Sequence, residues 1–352
     1  MKTILFILLS IIFITSCSEN EVLDPAYTSK LNESEGTLTT SVVENLRKWN
    51  IDKPSGLVKQ GDRIYIGNPN DKSNVVSFDL KSGEQHQLFS RGRNTGQALY
   101  PNSLAKSGNQ GITILDIHKG MLFNAPAGIA TRVSTLESLQ IPLPAGQQHL
   151  AAVQAGDRII ATGLYKEGRY LLFTPAQNQS EYFLDYPDHP NHPDIEEYTK
   201  SILYASSVLK VRPDNQAFVC GDMYSGLLEI CRIGNGKIER VKQHIFSYPK
   251  VYIKEKINGQ ADVSYSKDNC FGFTDISVSE DRIYAIYSGK TYRNERKNFQ
   301  KCQTLLVLDW EGNILHTYHI DTPLSNIQYE TEENAIYAIG YTPEAALVKI
   351  AL

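Results

Sequence analysis

The chain lacks the short motifs of familiar chemistry. It has no Cys-x-x-Cys or Cys-x-x-His pair, which argues against a cysteine zinc site. It has no Gly-x-Ser-x-Gly elbow, no His-Glu-x-x-His and no Gly-x-x-x-x-Gly-Lys-Ser/Thr loop. These gaps weaken an enzyme assignment without closing it, because catalytic residues can be scattered in sequence. Charge of one sign is missing as well. The 35 Lys and Arg against 39 Asp and Glu leave a formal net charge of −4, so no basic surface for nucleic acid is indicated. Heptads and low-complexity tracts are absent. Only one long apolar run occurs, and it lies at the start.

That run, Ile4 to Ile14, follows Lys2 and is broken only by Ser10. It is too short to span a bilayer and has the form of a signal peptide. It ends in Thr15-Ser16-Cys17, small residues before a Cys, which resembles a bacterial lipobox. Residues 1–16 are therefore expected to be a lipoprotein leader and Cys17 the lipidated N-terminus. Several acyl chains on one terminus exceed the marginal hold of a single chain. Residues 17–35, with Glu19, Glu21, Asp24, Glu33 and Glu35, are expected to be a flexible acidic tether. Ser18-Glu19-Asn20-Glu21 partly matches surface-export signals, which leaves either leaflet of the outer membrane open.

What is present is a repeat. Gly61-Asp62-Arg63-Ile64-Tyr65 recurs as Gly156-Asp157-Arg158-Ile159-Ile160 and, altered, as Glu280-Asp281-Arg282-Ile283-Tyr284. Weaker copies place Asp or Asn at 109, 214 and 334, for intervals of 47 to 67 residues. Six turn-plus-strand units of that size are the scale of propeller blades. Hairpin turns such as Lys81-Ser82-Gly83 and Glu311-Gly312-Asn313 follow, between strands of alternating polarity. The fold predicted is an all-β, six-bladed β-propeller of four-stranded antiparallel blades over residues 36–352. The last unit lacks its outermost strand. A strand within Gly36 to Arg47 is expected to supply it and close the ring.

Alternation sorts the loops. With strands A to D counted from the axis, the Gly-Asp turns join A to B and the Lys-Ser-Gly type join C to D. Both are expected to be short and to share one face. The B–C loops and the D-to-A links share the other. The long insertions fall there, and that is the expected binding face. Four segments carry the candidates. Arg91 and Arg93 flank glycines between blades one and two, as an anion cradle or as a plain blade-linking turn. Asp188, His189, His192 and Asp194 lie between blades three and four, as a divalent-metal site or as a plain loop. Ile195 to Leu203 would follow as a helix capped by Asp194. Ser247 to Asn269 links blades four and five. The blade-five B–C loop, Lys290 to Lys301, holds five cations, one acid and Tyr292 among them. Tyr292, Arg293, Arg296 and Lys297 there suit an anionic ligand, or form only a solvated loop. Disulfides Cys220–Cys231, across a predicted hairpin, and Cys270–Cys302, at one end of blade five, are expected, with four buried free thiols as the alternative.

Leader, lipobox, six Gly-Asp blades, the Arg91-Gly92 stretch after blade one and the Tyr186-Pro187 linker together resemble the TolB-like six-bladed propeller lipoproteins of Bacteroidota. The resemblance covers essentially the whole mature chain. It implies an envelope propeller and carries no catalytic residues over. Two readings stand. One is a membrane-anchored binding module for an anionic glycan, peptide or envelope protein, with no cofactor. The other is an envelope lyase, lactonase or glycan hydrolase, metal-dependent in one form. The anchor has its own test. Cys17→Ala should release the protein from the membrane fraction and abolish metabolic lipid labelling. Retention of both would refute the lipobox.

Overall fold

A computed structural model describes residues 29–31, 33–69, 73–107, 111–126, 140–255 and 261–352. The leader and Cys17 lie outside the described residues. Blade one is Ser55–Gln60, Arg63–Gly67, Ser73–Asp79 and Gln85–Ser90. Blade two is Pro101–Ser107, Gly111–Asp116, Met121–Pro126 and Gln140–Pro142. Blade three is His149–Ala155, Arg158–Gly163, Tyr170–Thr174 and Gln179–Phe183. Blade four is Ser207–Val211, Ala217–Asp222, Leu227–Gly234 and Lys237–Ile245. Within each, strands pair antiparallel in chain order. Blade five begins with Phe273–Val278, Ile283–Tyr287 and Cys302–Leu308. Its outer strand continues without a break into the inner strand of blade six, as Ile314–Glu330. Residues 314–319 of it pair with 304–308, and residues 324–330 pair with 335–340.

Blade six continues with Ala335–Tyr341 and Ala345–Ala351. Its fourth strand comes from the other end of the chain. Ser41–Asn45 lies antiparallel on the C-terminal strand, with Ser41 opposite Lys349 and Asn45 opposite Ala346. The expected closure is thus found, with one refinement. The start of the expected strand, Thr37–Leu38, pairs instead in parallel with His319 and Ile320 at the edge of blade five. The end of the expected tether is likewise docked. Glu35 N–H donates to Thr317 O (2.9 Å), and His316 Nδ1 meets Glu35 Oε2 (2.8 Å).

The core is divided into six apolar layers, each between two neighbouring blades. This corrects the alternation expected of the strands. Gly111–Asp116 and Ala217–Asp222 are buried at every position, because each blade is sandwiched on both faces. Alternation survives only toward the outer edge, as in Lys237–Ile245.

The closing segment adds a plug as well as a strand. After Asn45 the chain turns through Leu46–Trp49, and Leu46, Trp49 and Ile51 fill the layer between blades six and one. Trp49 stacks on Phe78 at 4.5 Å. Burial of such side chains stabilises by about 1.5–3 kcal/mol each. An ionic clasp joins the same two blades. Glu333 accepts from Lys59 Nζ (2.9 Å) of blade one and from Lys349 Nζ (2.6 Å) and Tyr337 Oη (2.7 Å) of blade six. Lys349, Lys59 and Tyr337 hold its carboxyl down at about 2.

The repeat turns behave as turn formers. Gly61 and Gly156 take φ of 57° and 64°, where a side chain would be strained. Asp62 pairs with Lys81 across to the C–D turn (2.7 Å), and Asp157 and Asp281 remain largely exposed. One connection on this face departs from the expected shortness, since blade two's C and D strands are joined by residues 127–139. Deleting residues 36–47 should remove the closing strand and, with Leu46, part of the plug. The expected outcome is loss of the cooperative thermal transition, and a melting temperature equal to that of the full chain would overturn the closure.

Candidate functional site

The insertions of the long-loop face assemble into one cap over blades four and five. Its first part is a hairpin, Val251–Glu255 with Ala261–Tyr265, in the link between these blades. Alternation splits it. Val251 and Val263 pack down on Tyr186, Leu203, Tyr204 and Leu227, while Tyr252 faces out and is 62% exposed. The second part is the helix Glu197–Leu203. Tyr265 Oη donates to Ile202 O and Leu203 O (both 3.1 Å), which satisfies its last carbonyls. The helix N-cap is Glu196 without a side-chain bond, so Asp194 is not the cap. The third part is the blade-five B–C loop. Phe299 stacks on Phe271 at 3.8 Å, and Arg293 grips Asp268 with both Nε and Nη2.

The hairpin and the blade-five loop reach the blade-four B–C turn, residues 223–226, through Tyr265 on Tyr224 and Gln300 on Met223, and the helix is joined to it through Tyr265. Asn269 Nδ2 donates to Tyr224 O (2.9 Å), and Gly272 N–H donates to Met223 O (2.8 Å). A Cβ on Gly272 would lie 1.7 Å from Ser225 O, so only glycine permits this approach. Tyr224 stacks on Tyr265 at 4.6 Å.

The blade-five loop spends much of its charge on its own fold. Lys290 Nζ donates to Lys301 O (2.7 Å), and Lys301 Nζ sits 4.1 Å from the Tyr341 ring centroid. Arg296 and Lys297 stay exposed at the tip, beside Tyr292 at 46% exposure. Arg296 adopts φ 48° and ψ −115°, a region that costs a non-glycine residue about 1–3 kcal/mol.

A family model described as TolB-like 6-blade propeller-like matches residues 34–332. The chain belongs to the TolB-like six-bladed propeller family. Two solved structures share the fold. One is a member of the DUF4221 family from Bacteroides vulgatus, at 11% identity and TM-score 0.52, covering 86% of this chain and 92% of its own. The other is a putative exported protein from Bacteroides fragilis, at 12% identity and TM-score 0.52, covering 85% and 90%. Among curated proteins the chain has no match. The propeller fold of this family supports an interaction or binding module in general terms.

Within this TolB-like propeller several expected sites resolve differently. Asp188, His189, His192 and Asp194 do not form a donor set. His189 is buried, with Nε2 on Pro249 O (2.7 Å) and Nδ1 accepting from Asn191 N–H (3.2 Å). Asp188 is taken by Lys200 (2.8 Å). No group of three or more His, Cys, Asp or Glu suited to a metal occurs among the described residues. The segment is a clamp that ties the blade-three link to the cap. Arg91 and Arg93 are exposed on a linking turn whose carbonyls point inward, where Lys119 Nζ donates to Asn94 O (2.9 Å) and Gln97 O (2.5 Å). Its interior suits a cation, not an anion.

The expected disulfides are also overturned. The turn is centred so that Cys220 opposes Glu229 and Cys231 opposes Phe218, a two-residue offset. Cys220, Cys231 and Cys302 are buried free thiols. Cys302 Sγ instead lies 3.0 Å from Thr274 Oγ1, and Cys270 Sγ lies 3.8 Å from Tyr287 Oη.

Beneath the cap lies a buried polar network that motif reading missed. Arg169, ahead of blade three's third strand, pairs through Nε with Glu229 of blade four, and neither side chain is exposed. Tyr170 Oη (2.7 Å), Arg240 Nε (2.7 Å) and Gln243 Nε2 (2.9 Å) also reach Glu229. Burial pushes the Glu229 carboxyl up, but Arg169 and Arg240 outweigh it and hold it below its ordinary value. The guanidinium lies 5.3–5.9 Å from the ring centroids of Tyr170, Tyr186 and Tyr204. A charged residue inside Leu227-Leu228-Glu229-Ile230-Cys231 was the available signal. Arg169→Met should lower stability by about 3–5 kcal/mol, because it strands part of a buried charge. Denaturant unfolding would measure this, and a loss below about 1 kcal/mol would show the pair to be dispensable.

Proposed function

We propose that the protein is a lipid-anchored binding module of the cell envelope that takes an anionic ligand on the cap. The carrying observation is the exposure of Tyr252, Tyr292, Arg296 and Lys297 on loops pinned at several points, with Arg293 holding the blade-five loop to Asp268. Flat aromatic faces offer contact area at low entropic cost. Arginine adds the planar fork that matches a carboxylate or phosphate. A pinned cap loses little freedom on binding, which favours affinity. An acidic glycan is the preferred ligand class, and an acidic peptide segment of an envelope protein offers the same charge.

The envelope setting rests on the leader-and-Cys17 sequence and on the exported character given for one Bacteroides neighbour. Among the described residues no helix is long and apolar enough to cross a membrane. The enzyme reading has less behind it, since the His189 nitrogens and Asp188 are occupied by protein partners.

Binding of an acidic-glycan panel and of acidic peptides to the soluble full propeller, by calorimetry, tests the reading. Tyr252→Ala and the pair Arg296→Ala with Lys297→Ala should each weaken binding about tenfold, or about 1.4 kcal/mol. Wild-type binding should weaken as salt rises. Affinity unchanged in both variants would move the site off the cap.

A further inference from the structure

The turn that seats the cap is held by one buried carboxyl, Asp222, at the end of blade four's second strand. Its Oδ1 accepts from Tyr224 N–H (3.0 Å), Ser225 N–H (2.8 Å) and Ser225 Oγ (3.0 Å). Its Oδ2 is fully buried and finds no hydrogen-bond partner among the described residues. The Tyr204 hydroxyl is in the same condition. A buried carboxylate oxygen without a donor is costly when charged and much less so when neutral.

The repeat supplies an internal control. Asp116 occupies the same place in blade two, where Ile117 N–H meets Tyr100 O as Met223 N–H meets Ser206 O in blade four. Asp116 Oδ1 likewise accepts from His118 and Lys119 N–H (both 3.1 Å). Its Oδ2, however, receives Leu99 N–H (2.5 Å) from the preceding link. In blade four the corresponding link enters from the helix Glu197–Leu203, and no such donor reaches Oδ2 of Asp222. The second oxygen that blade two satisfies is left unsatisfied under the cap.

We propose that Asp222 is a proton-controlled latch: neutral, it seats the cap firmly, and ionised, it loosens the turn on which the cap rests. The groups facing it are Arg169 from the blade-three loop, Tyr204 from the helix end, Tyr224 and Ser225 from the turn and Tyr265 from the hairpin. The Arg169 charge is already engaged by Glu229. Burial lifts the Asp222 carboxyl to about 7, against the pull of Arg169 and the donors of Ser225 and Tyr224. The sign follows. A carboxyl raised in the closed form and ordinary once the cap lifts favours closure at low pH. That advantage fades as pH rises and is gone above about 7. The consequence for ligand affinity rests on the cap being the binding face, but the latch itself does not.

Hydrogen exchange of the ligand-free full chain separates the two. Protection of residues 261–272, taken relative to blade-one amides, should fall by up to about tenfold per pH unit from about pH 5 to 7 and then level off. Asp222→Asn should keep the cap protected and remove that slope. A flat wild-type profile, or the same slope in the variant, would overturn the latch. Should the variant fold poorly, carbon-13 titration of the wild-type Asp222 carboxyl decides. A midpoint near neutrality is expected, and one in the ordinary carboxylate range would overturn it.

Discussion

Every blade of this protein is apolar on both faces, and that constraint governs the rest. A sheet buried on two sides cannot stand alone, so each blade needs a neighbour on either hand. The last must therefore meet the first. Closure is reached by bringing residues 41–51 from one end of the chain to the other, as a strand, a plug around Trp49 and a seat beside the Lys59–Glu333 clasp. The clasp is partly exposed and contributes less than the plug. Burial in the layer of Leu46, Trp49, Ile51, Phe78 and Leu347 is the larger contribution, since partly exposed ion pairs add little.

The same closure frees the long-loop face for function. Once the ring is rigid, insertions on one face can lean on each other without supporting the fold. Hairpin, helix and blade-five loop do so over a single turn, residues 223–226. The cost of that arrangement is polar burial. Arg169 and Glu229 are wholly removed from water and retain their charges by pairing, with tyrosine rings packed about the guanidinium. Asp222 has no equivalent compensation at one oxygen. Buried polar groups of this kind commonly mark places where structure has been arranged for more than stability.

Much of the architecture was legible beforehand. The Gly-Asp spacing gave the blades, and Gly61 and Gly156 could be read as turn formers because positive φ is a local demand. Antiparallel alternation put the four named insertions on one face but missed the 127–139 connection on the other. The site was less legible. Five cations between Lys290 and Lys301 read as a uniform basic loop, yet Arg293 is spent on Asp268 and Lys301 on Tyr341. Asp188 and His189 read as ligands, yet Lys200 and Pro249 claim them. The cysteine pairing failed by two residues of register, which a turn of unknown centre cannot fix. The charge errors concern partners in other segments, and the cysteine error the centre of a turn.

The sequence by itself determined the period, the turn chemistry, the missing last strand and the face on which loops would gather, since these depend on neighbours along the chain. Only the tertiary structure decided which charges remain available. It engaged three of the five blade-five cations, Arg293 on Asp268, Lys290 on a carbonyl and Lys301 over Tyr341, left Arg296 and Lys297 exposed, and buried Asp222 with one oxygen unmet. The physical reason is that solvation and pairing of a charge depend on what other segments bring within a few ångströms. Local pattern specifies the segment and not its company.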